Sequence, residues 1–128
     1  MTKVLIIDNE PSLRKVIQTN LTASGYSATV AENGEEGLKL AKSIQPDLIL
    51  LDIKMPGMSG WDVLKALHAD AELKQTPVII MSAFLRETEE TRARKMGTGF
   101  MEKPFSVLEL LGQVKKALGE QKCLNKEF

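Results

Sequence analysis

No disulfide can form within this chain, because Cys123 is its one cysteine. A lone thiol in a polar stretch fits a reducing compartment better than an oxidising one. An excess of one charge is also missing. Seventeen Lys and Arg balance seventeen Asp and Glu, which leaves no electrostatic footprint for nucleic acid. No apolar run approaches the roughly 20 residues that span a bilayer. The first apolar run already begins at Lys3, too early to follow a secretory leader. These shortages lead to the expectation of a cytoplasmic protein that engages neither nucleic acid nor membrane directly. Aromatic residues make up only 5% of the chain. With no Ser/Thr/Gly-rich phosphate loop after the first apolar run, this disfavours a flavodoxin-like electron carrier.

What remains suffices for a core. A chain of 128 residues, 43% of them hydrophobic, amounts to about one domain and is too apolar for disorder. Three of its apolar runs end in a residue that can do chemistry. Val4-Leu5-Ile6-Ile7 runs into Asp8, Leu48-Ile49-Leu50-Leu51 into Asp52, and Val78-Ile79-Ile80-Met81 into Ser82. A shorter run, Phe100-Met101, is followed by Glu102, Lys103 and Pro104. If these runs are parallel strands, their ends share one edge of one sheet, which is where open α/β sheets bind ligands.

Between the runs the apolar period turns helical. Leu13, Val16, Ile17 and Leu21 fall on one helical face, with Pro11 suited to the first turn and Gly25 to the stop. Tyr26, Ala28 and Val30 alternate as a short half-buried strand. Asn33 with Glu36, Ser59 with Asp62, and Ser106 with Glu109 have the spacing of helix-capping pairs. The last helix is expected to turn Val107, Leu111, Val114 and Leu118 inward. The spacing predicts strands at about 3–7, 26–30, 47–51, 77–81 and 99–101, and helices at about 10–24, 34–44, 59–69, 86–96 and 106–118.

Such alternation implies an α/β fold, a doubly wound five-stranded parallel sheet with five helices on two faces. Asp8 and Asp52 can share a metal only if the first and third strands are neighbours. That requirement puts the second strand at the edge and yields the order 2-1-3-4-5, with right-handed crossovers. The folded unit is expected over 1–119, with 120–128 as a polar tail. The fourth helix is poor in apolar residues, offering only Ala93 and Met96 between Arg86 and Met96, so it should be weakly anchored.

Two carboxylates, a hydroxyl and an ammonium suit a divalent cation and a phosphoryl group. A carboxylate can attack phosphorus to form an acyl phosphate. A cation and a lysine neutralise the charge that spreads over the phosphoryl oxygens. Oxygen ligands select Mg²⁺, which uses few protein carboxylates.

Four blocks carry a family resemblance: Asp8-Asn9-Glu10-Pro11, Leu51 through Gly60 (LDIKMPGMSG), Met81-Ser82-Ala83 and Lys103-Pro104-Phe105. In this order, each at a strand end, they resemble the signature blocks of bacterial response-regulator receiver domains over about residues 3–118. The resemblance implies a phosphoacceptor at Asp52 and a Mg²⁺ site drawing on Asp8, the position of Asn9, Asp52 and the backbone carbonyl of Lys54. It further implies a switch hydroxyl at Ser82, a phosphate-pairing Lys103, an aromatic switch at Phe100 and a cis Lys103–Pro104 bond. A histidine kinase or phosphotransfer protein would be the donor. A downstream protein would read the face made by the fourth helix, fifth strand and fifth helix, and a homodimer through the same helices fits the family. The domain would be regulatory, assisting its own phosphorylation and dephosphorylation, rather than an enzyme acting on other substrates.

One position departs from the family. Asn9 stands where receivers usually have a second Asp, so the site loses a full negative charge. Glu10 is adjacent and can compensate in part. A receiver with weakened metal binding and a phosphorylation-independent docking module both remain open. A haloacid-dehalogenase-type phosphatase is disfavoured, because Glu10 stands where that motif wants an Asp. Gly57 and Gly60 read as turn residues and Trp61 as a packing residue beside the site. His68, with no second His or Cys near it, does not read as a ligand. The six methionines read as scattered core filler.

Overall fold

The structure is a computed structural model that describes residues 1–83 and 87–119. Phe84, Arg86 and the 120–128 tail, with Cys123, lie outside the described residues. The elements follow in the order β1 (Lys3–Ile7), α1 (Pro11–Ala23), β2 (Ser27–Ala31), α2 (Gly34–Ile44), β3 (Leu48–Asp52), α3 (Gly60–Ala69), β4 (Val78–Ser82), α4 (Glu87–Lys95), β5 (Gly99–Glu102) and α5 (Val107–Leu118). All strand pairs are parallel and the sheet order is β2-β1-β3-β4-β5. The expected topology therefore holds. No described helix is long and apolar enough to cross a membrane.

The near-continuous apolar runs reflect burial on both sheet faces. Leu5, Ile7, Ile49, Leu51 and Ile80 face a layer containing Ala41 of α2, Val63, Leu64 and Leu67 of α3, and Ala93 of α4. Their strand neighbours Val4, Ile6, Leu48, Leu50 and Ile79 face Ile17 and Leu21 of α1 and Leu110 and Val114 of α5. Alternation along each strand thus divides one sheet between two cores. The chain passes from β1 outward to β2 and returns to β3 on the other side. Asp8 and Asp52 therefore end adjacent strands at the point where the order reverses, the crevice such sheets use for ligands.

The capping pairs behave as their spacing suggests. Asn33 accepts from the Glu36 amide at 2.8 Å, Ser106 accepts from the Glu109 amide at 3.0 Å, and Ser59 with Asp62 closes a reciprocal box. The Lys103–Pro104 bond is cis. Two helix faces differ from expectation. Val16 of α1 is 49% exposed and Val107 of α5 is 40% exposed, and in α5 Leu110 is buried instead. Periodicity reports direction around a helix but not where along it the opposing surface ends. Val16 lies at the margin of a stripe centred on Ile17 and Leu21, and Val107 sits in the first turn of α5. Strand β2 starts one residue later than expected. Tyr26 is buried just before it, and Ala28 and Val30 are partly buried within it.

Candidate functional site

Each site residue is delivered by the end of a strand. Register pairs Asp52 with Met81 and Ser82 with Glu102, so β4 and β5 end level with one another and β3 ends one residue short of them. The Ile53 amide donates to the Met81 carbonyl at 3.1 Å, and the Lys103 amide donates to the Ser82 carbonyl at 2.7 Å. The ladder thus continues one step past the strands and fixes where the reactive side chains leave the sheet. Strands β3 and β4 each extend one residue beyond the expected ends, taking in Asp52 and Ser82.

Four polar side chains are buried here: Asp8 at 0% exposure, Ser82 at 1%, Asp52 at 4% and Lys103 at 9%. The Lys103 ammonium lies 2.8 Å from Asp8 Oδ2, 3.4 Å from Asp52 Oδ2 and 3.4 Å from Glu10 Oε1. The opposite oxygens of the aspartates are held by the backbone. Asp8 Oδ1 accepts from the Glu10 amide at 2.8 Å and Asp52 Oδ1 from the Lys54 amide at 3.3 Å. Arg14, one turn into α1, donates to the Asp8 carbonyl at 2.7 Å and ties the end of β1 to that helix.

Among the described residues one ammonium serves two buried carboxylates, which leaves a surplus of negative charge there. Burial, followed by repulsion from Asp8, pushes Asp52 up to about 6, although Lys103 and the Lys54 amide pull it down. Burial draws the Lys103 ammonium down, but its hydrogen bond to Asp8 and the charges of Asp52, Asp8 and Glu10 outweigh this and hold it above its usual range. An anionic pocket of this kind attracts a cation.

The donors available for that cation are oxygens only: the Asp8 and Asp52 carboxylates, the Asn9 amide and the Lys54 carbonyl. Asn9 and Lys54 are exposed beside the buried pair. Among the described residues, no group of three or more His, Cys, Asp or Glu is placed to hold a metal. A set with two carboxylates fits Mg²⁺, which keeps much of its water.

Several arrangements were not legible in the sequence. The Ser82 hydroxyl donates to Glu89 Oε2 of α4 at 2.9 Å, and no period or motif links the two residues. Glu10 turns toward Lys103. Gly60 is not a turn residue but the first residue of α3, where its amide donates to the Ile53 carbonyl at 2.8 Å. A Cβ there would stand only 2.3 Å from the Asp52 carbonyl oxygen, so side-chain absence lets α3 approach the end of β3. Gly57, at φ +78°, does hold a turn. Trp61 packs against the α2–α4 side of the core, and the Arg92 guanidinium of α4 lies 4.4 Å from its ring centroid. Phe100 is half-buried against the same core. Beside the site, a cavity of about 350 Å³ is lined by Glu10, Leu13, Ala83, Lys103, Pro104 and Phe105.

Comparison with known proteins agrees with this geometry. The family model described as the response regulator receiver domain matches residues 4–115. The polar-differentiation response regulator DivK of Brucella anthropi is 38% identical over 118 residues, spanning 91% of this chain and 96% of that protein. DivK of Brucella ovis is 38% identical over 122 residues, 94% of this chain and 99% of that one. Among solved structures, the chemotaxis protein CheY4 of Vibrio cholerae aligns with a TM-score of 0.88 at 30% identity, covering 92% of this chain and 99% of its own. The receiver domain of Francisella response regulator 1452 aligns at 0.86 with 32% identity, covering 94% and 99%.

Proposed function

This chain belongs to the response-regulator receiver family of two-component signalling, and we propose that within it Asp52 is the phosphoacceptor of a signalling switch. The observation that carries this reading is the Lys103 ammonium bridging Asp8 and Asp52 at the β1/β3 crevice. An Asp52 carboxylate oxygen attacks the phosphorus of a phosphohistidine on a histidine kinase or phosphotransfer protein. The P–N bond breaks as the P–O bond forms, and the imidazole leaves with a proton. The cavity between Glu10 and Phe105 gives such a donor an approach to Lys103. Lys103 balances charge on the transferred group, and the Ser82 hydroxyl can donate to one of its oxygens. When bound, Mg²⁺ supplies further positive charge to the phosphoryl oxygens. Its protein ligands would be Asp8, Asn9, Asp52 and the Lys54 carbonyl.

The output face in this reading is α4, β5 and α5. Ala93 is the one buried residue of α4 among those described, which leaves that helix weakly held. A groove of about 600 Å³ has Glu90 and Arg94 of α4, Phe100 of β5 and Gln113 and Lys116 of α5 on its walls. Repacking of Phe100 in step with Ser82 would change that groove and hence what a downstream protein meets. The folded unit would be residues 1–119, acting in the cytoplasm. Intact-mass measurement after incubation with acetyl phosphate, with and without Mg²⁺, tests the reading. A single adduct of one phosphoryl group that requires Mg²⁺ supports it. No adduct under either condition would leave the docking module that Asn9 suggests.

Asn9→Asp is expected to tighten Mg²⁺ by at least about tenfold, because one added charge at about 4 Å from a divalent ion gains about 2 kcal/mol even at the dielectric of bulk water. Isothermal titration of the two proteins measures this. Equal affinities would mean that position 9 contributes nothing to the ion.

Lys54→Glu is expected to shorten the acyl-phosphate lifetime about tenfold. Lysine offers donors only and glutamate brings an acceptor for the attacking water. Decay followed by intact mass after donor removal gives the comparison, and equal or slower decay would exclude position 54 from that role. Phe84, two residues past Ser82, likewise offers no acceptor for that water and lies outside the described residues.

A further inference from the structure

The Ser82 hydroxyl has one proton to donate, and in this structure it goes to a carboxylate on the neighbouring helix. We propose that Glu89 is a positioning residue that holds the Ser82 hydroxyl in the resting arrangement, so that uptake of a phosphoryl group and release of α4 become one event. The inference rests on Asp52 being the phosphoacceptor and names what opposes the switch.

The geometry is specific. Ser82 Oγ is buried and lies 2.9 Å from Glu89 Oε2, a good distance for a charge-assisted hydrogen bond. Ser82 sits one residue beyond the register partner of Asp52 on the adjacent strand, and paired strands lie about 4.8 Å apart. A phosphoryl group on Asp52 would add nearly two negative charges close to the same hydroxyl. The one proton then serves either the phosphoryl oxygen or Glu89. When it turns to the phosphoryl group, Glu89 loses its buried donor and meets a second anion. Both effects push Glu89, and α4 with it, away from the site.

Among the described residues little else holds α4. Ala93 is its buried anchor, and the Thr98 amide and hydroxyl both donate to the Ala93 carbonyl. Farther along, Arg92 lies over the ring of Trp61, the one tryptophan of the chain. Thus Glu89 meets the switch hydroxyl while the next turn of the same helix meets a fluorophore. Displacement of α4 would alter the Trp61 environment.

The test is titration with beryllofluoride, a phosphoryl mimic, in saturating Mg²⁺. The bound ion is followed by ¹⁹F resonance and α4 by Trp61 emission. Glu89→Ala is expected to bind beryllofluoride about tenfold tighter than wild type, because the bond that competes for the proton is gone. Glu89→Gln, which keeps an acceptor of the same shape without the charge, should fall between. In a Ser82→Ala background, Glu89→Ala should change affinity less than twofold, because the hydroxyl through which Glu89 acts is missing. The Trp61 change on binding should also shrink in Glu89→Ala. An unchanged affinity in Glu89→Ala would overturn the proposal and leave the phosphoacceptor reading standing. The same tightening with and without Ser82 would overturn it too, assigning the effect to charge alone. No bound resonance in wild type would overturn the phosphoacceptor reading and this inference together.

Discussion

Asp52→Asn is expected to take up no phosphoryl group and at the same time to fold more stably than wild type. The first outcome follows from chemistry: an amide cannot attack phosphorus to leave an acyl phosphate. The second follows from electrostatics. Asp52 is pushed up to about 6, about two units above an ordinary aspartate. At about 1.36 kcal/mol per unit, the ionised side chain costs the metal-free fold about 3 kcal/mol. A raised carboxylate pKa means that the folded state holds its proton more tightly than the unfolded state. Stability of the wild type therefore falls as pH rises from about 4 to about 6 and stays reduced above that window. Asn at position 52 is uncharged throughout. The two proteins should match in urea melts near pH 4. By pH 7.5 the variant should be ahead by up to about 3 kcal/mol in the absence of Mg²⁺. An equal midpoint at both pH values would show that the ionised Asp52 is not penalised, and an adduct on the variant would move the phosphoacceptor elsewhere.

Removing the cation should do the reverse. Lys103→Met keeps length and apolar character but takes the Lys103 ammonium from between Asp8, Asp52 and Glu10. Two nearly inaccessible carboxylates then face each other without a counter-charge. Breaking a buried pair by removing one partner costs about 3–5 kcal/mol, and a loss of that size at pH 7.5 is expected here. It should shrink as pH falls, because protonating Asp52 relieves the repulsion. Asp8→Asn in the same protein should restore much of the loss. A deficit under about 1 kcal/mol that does not vary with pH would mean that solvent already balances the site. These variants test one statement from both sides: the pocket has more anion than cation until Mg²⁺ enters.

The four motif blocks were legible because each is a local event. An apolar run stops, a polar residue follows, and the pleat repeats every two residues. Asp8, Asp52, Ser82 and Lys103 could be brought to one crevice from chain order, the requirement that Asp8 and Asp52 share a metal, and the right-handed rule for parallel crossovers. The weak anchoring of α4 was legible too, since a helix with Ala93 and Met96 as its apolar residues has little to bury. Less was legible where a pattern gives direction without extent. Val16 and Val107 have core-like periods and stand in solvent, because a stripe does not say where the sheet beneath it ends. Gly60 reads as a turn glycine, and only the path of α3 past the Asp52 carbonyl reveals that a side chain has no room there.

The sequence by itself determined the fold class and the chemical types gathered at the crevice, because the apolar period depends on residues near one another in the chain, and the strand order followed from requiring Asp8 and Asp52 to share a cation. The tertiary structure alone decided which group meets which. That Glu10 turns to Lys103, that Arg92 covers Trp61 and that Glu89 holds the Ser82 proton depends on how each helix settles on the sheet. Hydrogen bonds and ion pairs are set by separations of about 3 Å, and no spacing along a chain encodes a distance that fine between residues on different elements.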